Sequence, residues 1–201
     1  MIFNRGFLTN LSNTKLFIKH KYKISINKNT NSFKKYNINK FARNSLKYDN
    51  DAKRRSMDEA ISIHIITEKL KTKLKILYES QISNFHGKPD FIIRLGKDFY
   101  IMVSITRAMQ KNSVFTSDEA YRLIKKKMDG IYICSNNLDC LINDVILKYR
   151  LQPIVHVLAP NKYYANLCVK AYKKYCYNFN KKTKKIKFLI SIIDFTDEIA
   201  S

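Results

Sequence analysis

Asp90 follows Pro89 directly and opens a short β-branched and aromatic run at residues 90–93. Gly96 supplies the flexibility of a turn at 95–98, and a second such run covers 99–106. Side chains alternate along a strand, so Tyr100, Met102, Ser104 and Thr106 share one face, and Ile101, Val103, Ile105 and Arg107 the other. A carboxylate at one strand mouth beside polar side chains on its partner could hold a metal ion and a phosphate. Magnesium takes hard oxygen ligands, usually one or two carboxylates with waters and substrate phosphates. So held, it activates water and steadies the leaving oxygen in phosphodiester cleavage. Asp90 with two hydroxyls is a poor set for that task, and Glu59, Glu79 or Asp98 would have to complete it. The plain alternative is structural, since Pro fits the start of a strand in any βαβ protein.

Other residues invite the same weighing. His86 stands just before Asp90 and could reach a phosphate or a metal-bound water, although a loop histidine is more often only solvated. His156 lies among Ile154, Val155 and Val157 and reads as a hydrogen-bonded core histidine, as does His64 on the first helix. Arg122 and Lys126 are one helical turn apart and share a face, suited to a phosphate backbone or simply to water. Tyr163, Tyr164, Tyr172, Tyr175 and Tyr177 are mixed with Lys170, Lys173, Lys174 and the basic stretch 181–187. Such mixtures serve single-strand stacking, but the inward tyrosines at helical spacing are core. Cys134, Cys140, Cys168 and Cys176 form no C-x-x-C pair and read as buried thiols of a reducing compartment. No Ser/His/Asp set and no Gly-rich phosphate loop occurs.

The elements that position these groups follow from periodicity and caps. Ser56 with Glu59 three residues on is a capping box, and Ile61, Ile65, Leu70 and Leu74 continue its helical face. A strand at 75–79 and the two strands around Gly96 come next. Thr116 with Glu119 is a second capping box; Lys125, Lys126 and Lys127 fall in the expected last turn and Gly130 just beyond. The pattern then predicts a strand at 131–134, a helical stripe from Leu138 to Tyr149, a strand at 153–158, a helix at 161–175 and a strand at 186–193. Helix, three strands, helix, strand, then alternating helices and strands, predicts an α/β sandwich with a mixed sheet.

Pro89 and Asp90, the paired second strand and this order over residues 56–135 resemble the PD-(D/E)XK nuclease superfamily. There the first strand supplies an Asp and the second a Glu, any residue, then a Lys. Here Ser104, Ile105 and Thr106 occupy the second half. The resemblance therefore implies a PD-(D/E)XK-like core with Asp90, Ser104 and Thr106 at vestigial catalytic positions, Asp90 as a weak metal ligand, and chemistry lost or strongly altered. Magnesium enters as a cofactor only if activity survives. In that architecture the second helix packs beside the strands, which makes Arg107, Arg122 and Lys126 the nucleic-acid-binding candidates.

Charge points the same way without deciding it. The chain has 201 residues, 38 basic against 16 acidic, and a net charge of +22, which favours nucleic acid or an anionic membrane surface. Thirty of the basic residues are Lys, beside abundant Asn, Ile and Tyr, a mixture that AT-rich coding alone would also produce. No apolar run approaches the length of a membrane span. Residues 1–48 contain no Asp or Glu and read as a basic leader, a mitochondrial targeting segment or a disordered arm, with no apolar pattern long enough to join the core. Residues 49–201 then form a single α/β domain. Three readings stay open: an altered nuclease-like protein bound to DNA, RNA or a nucleoprotein complex; an active metal-dependent endonuclease using a migrated acid with Asp90; and a non-catalytic interaction module of a mitochondrial complex.

Overall fold

The computed structural model describes residues 19–24, 38–48, 53–70, 74–78, 89–96, 99–109, 114–136, 150–179 and 186–195. Within them, apolar runs rich in Ile, Val, Phe and Tyr make strands β1 (Lys19–Ile24), β2 (Leu74–Tyr78), β3 (Phe91–Leu95), β4 (Phe99–Arg107), β5 (Arg150–Ala159) and β6 (Lys187–Phe195). They form one sheet in the order β1-β6-β5-β4-β3-β2. β2, β3 and β4 are an antiparallel meander, while β4, β5, β6 and β1 run parallel, so the sheet is mixed as expected. Gly96, at φ 66°, takes the left-handed conformation in the turn between β3 and β4, where a Cβ would be strained.

Four helices among the described residues cover the sheet: α1 (Lys40–Tyr48), α2 (Lys53–Leu70), α3 (Ser117–Asn136) and α4 (Lys162–Asn178). The pleat divides the apolar residues between two cores. Phe91, Ile93, Ile101, Val103, Ile105, Ile154 and Leu189 face α1 and α2; Ile92, Met102, Val155, Val157, Phe188 and Ile190 face α3 and α4. α2 is buried on nearly every side because α1 covers its back. His156 sits on the α2 side, fully buried, with Nδ1 2.6 Å from Ser62 Oγ and Nε2 2.9 Å from Ser191 Oγ. It is a satisfied core histidine, as the sequence suggests.

Three expectations shift. α2 begins at Lys53, so Ser56 and Glu59 lie inside it rather than capping it. Thr116 and Glu119 do form the expected box: Thr116 N–H donates to Glu119 Oε2 at 2.8 Å, and Glu119 N–H to Thr116 Oγ1 at 3.3 Å. α3 does not stop at Gly130 but runs to Asn136, so residues 131–134 are helical. Ile131 and Cys134 simply prolong the buried stripe of Ala120, Ile124 and Met128. Among the described residues the next strand is β5, and the helix expected at 138–149 lies outside them.

The boundary at residue 48 moves as well. β1 pairs in parallel with β6, and Ile38, Ala42 and Leu46 are buried in the core that α2 shares with the sheet. The expectation that nothing before residue 49 joins the core is therefore corrected: α1 is part of the domain.

Candidate functional site

The antiparallel ladder between β3 and β4 extends one residue beyond β3. Asp90 N–H donates to Val103 O at 2.9 Å, which turns the Asp90 side chain back across β4. Its Oδ2 accepts from Ile105 N–H at 2.7 Å and from Ser104 Oγ at 3.2 Å. The expected pairing of Asp90 with Ser104 is thus present, and Asp90 also covers an N–H at the point where β3 no longer does.

The cation comes from elsewhere. Lys127 Nζ lies 3.5 Å from Asp90 Oδ2, reaching over from α3. On the other side of the sheet Arg107 Nε donates to Asp58 Oδ1 on α2 at 2.8 Å, and its Nη2 binds the same oxygen. Asp58, Glu59, Asp90, Ile105, Thr106, Arg107 and Lys127 line one cleft of about 200 Å³ at the end of β4. Asp90 and Thr106 were expected together there, whereas Arg107 was expected on the opposite face of β4; Ser104 stands just behind, bonded to Asp90.

Glu59 lines the cleft at 5% exposure. Glu79, Asp98 and His86 lie outside the described residues. Among the described residues no group of three or more Asp, Glu, His or Cys is placed to hold a metal ion. The cleft therefore joins three carboxylates to an ammonium and a guanidinium, with Lys127 paired to Asp90 and Arg107 to Asp58.

Arg122 and Lys126 are exposed on the outer face of α3. Arg107 does not join them: its side chain is 7% exposed and held by Asp58, so it builds the cleft wall and not an open basic surface. Lys127 escaped the sequence reading, where it counted only as one of three lysines near a helix end. The usable signal was its spacing, three residues after Ile124 and four before Ile131, at the edge of the buried stripe.

Cys134 and Cys168 are buried thiols; burial pushes them up to about 11 and about 12, which keeps both protonated and unreactive. No helix among the described residues is long and apolar enough to cross a membrane. Comparison of the chain with family models, with curated proteins and with solved structures gives no match.

Proposed function

We propose that this chain is a nucleic-acid-associated protein on a nuclease-like core of PD-(D/E)XK type, with a strongly altered site. The observation that carries the reading is the Asp90–Lys127 pair in the cleft at the end of β4. Asp90 lies beside Lys127, although the resemblance puts the lysine at Thr106 in β4. Asp90 Oδ2 is already engaged by Ile105 N–H, Ser104 and Lys127, which leaves the carboxylate less able to draw a divalent cation. Loss of efficient cleavage follows from that competition.

A second reading, a metal-dependent endonuclease, is favoured by Glu59 on the same cleft wall. It would pair Glu59 with Asp90 at magnesium and use Lys127 to stabilise developing charge. The assay is cleavage of single- and double-stranded substrates by the full chain with magnesium or manganese, beside Asp90→Asn and Glu59→Gln. The proposed function expects salt-dependent binding and no substantial cleavage. Robust cleavage lost in both variants would install the second reading, and an absence of nucleic-acid binding would leave the protein-interaction reading. The acid-free residues 1–48 support a mitochondrial location within the same proposal. A reporter fused to them that stays in the cytosol would remove that part.

A further inference from the structure

α4 turns Ala165, Cys168, Ala171, Tyr172 and Tyr175 into the core. At about 100° per residue, the opposite crest consists of Tyr163, Asn166, Lys170, Lys173, Lys174 and Tyr177. All six are exposed. Tyr163 is 57% and Tyr177 89% accessible, although tyrosine is ordinarily a residue of intermediate burial. The two rings point within about 40° of each other and stand about 21 Å apart along the helix, with the lysines between them. α4 contains no acidic residue.

The neighbouring helix extends this surface. α3 exposes Arg122, Lys125 and Lys126. Lys174 Nζ lies 4.8 Å from the Tyr121 ring centre, Lys125 Nζ 5.8 Å from that of Phe179, and Asn178 Nδ2 donates to the Tyr121 hydroxyl at 3.2 Å. Of the acids described in this layer, Glu119 is engaged in the helix cap, and Asp129 accepts from Lys125 at 2.7 Å and Tyr175 at 2.6 Å. Asp118 alone among them is exposed. The two exposed tyrosines stand in register with the lysines along one crest of α4.

We infer that the crest of α4, with the adjoining face of α3, binds a single-stranded polynucleotide. The lysines and Arg122 meet its phosphates, and Tyr163 and Tyr177 stack on its bases. Bases in a duplex are already stacked on one another, so exposed rings favour the unpaired strand. The inference rests on the proposed association with nucleic acid but names a surface distinct from the cleft. Tyr121 and Asp129 meet α4 and Lys125 meets its C-cap Phe179, whereas Lys127 flanks the other side of the buried stripe and meets Asp90.

The test is fluorescence anisotropy of the full chain with labelled oligothymidylate and with a duplex, across a salt series. Melting curves would establish that each variant is folded. Lys170→Glu should weaken oligothymidylate binding about tenfold and flatten its salt dependence. Lys75→Glu, the same charge change on the far edge strand β2, should alter it about twofold at most. Tyr163→Ala and Tyr177→Ala should each cost about fivefold on the single strand and leave duplex binding unchanged. Equal effects of Lys170→Glu and Lys75→Glu would show diffuse charge and overturn the inference. So would tyrosine variants that bind the single strand as the wild type does, or capture of phosphatidylserine vesicles in place of the oligonucleotide. A wild type that binds no oligonucleotide defeats the proposed function too; one whose binding ignores the crest variants defeats this inference alone.

Discussion

Asp90 carries a structural task whatever chemistry the cleft performs. Beyond Phe91 the strand β3 ends, and the Ile105 N–H would face a gap if the Asp90 carboxylate did not accept it at 2.7 Å. Asp90→Ala should therefore destabilise the fold by about 1–3 kcal/mol, the usual cost of orphaning a buried donor. Asp90→Asn keeps an acceptor oxygen while removing the charge, and should cost clearly less in a urea titration. Equal losses in the two variants would mean that the charge opposite Lys127, and not the hydrogen bond, holds this corner. The meeting of Asp90 with Ser104 is legible in the sequence because pleat and turn length fix it. The approach of Lys127 is not, since it depends on how α3 rotates against the sheet, and Lys125, Lys126 and Lys127 look alike until the buried stripe is placed.

One hydrogen-bonded corner joins α1 to α2. Asn39 Oδ1 caps α1 by accepting from Ala42 N–H at 3.1 Å, and its amide donates to Thr67 Oγ1 at 2.7 Å and Glu68 Oε1 at 3.0 Å. Asn39 N–H donates to His64 Nδ1 at 3.2 Å, which requires that nitrogen to be unprotonated. Burial lowers the His64 pKa from its ordinary 6.5, with the Glu68 carboxylate opposing the shift. A depressed folded-state pKa gives stability that is present above the unfolded value and is lost as pH falls through the folded one. The melting temperature should thus drop as pH falls below about 6.5, and His64→Gln, which keeps an acceptor but gains no proton, should flatten that part of the profile. A variant profile parallel to the wild type's would assign the pH response to other groups. Element by element, the sequence shows the cap at Thr116 because polar cap and acid stand just before an apolar stripe. It misleads at Ser56, where the helix already runs from Lys53, and at Gly130, where a glycine sits inside α3.

At the scale of the whole chain, composition hides the contribution of the N-terminal segment. Lysine and asparagine dilute its apolar residues, so Ile38, Ala42 and Leu46 look incidental although they share the spacing of one helical face. In the structure Ile38 is 2% and Leu46 7% exposed, within the same core as α2. Burial of each such side chain contributes about 1.5–3 kcal/mol, and domains of this size are stable by only about 5–15 kcal/mol in total. Deletion of residues 1–48 also removes β1 and bares the edge of β6, which otherwise lies between β1 and β5. The shortened chain should therefore unfold at a much lower denaturant concentration than the full one, or fail to stay soluble. If the chain lacking 1–48 unfolds at the same midpoint as the full chain, α1 and β1 lend the domain no stability, and the boundary belongs at residue 49 after all. If it does not, any processing of an imported leader must cut ahead of Ile38, because a cut at residue 48 would remove part of the core it was meant to release.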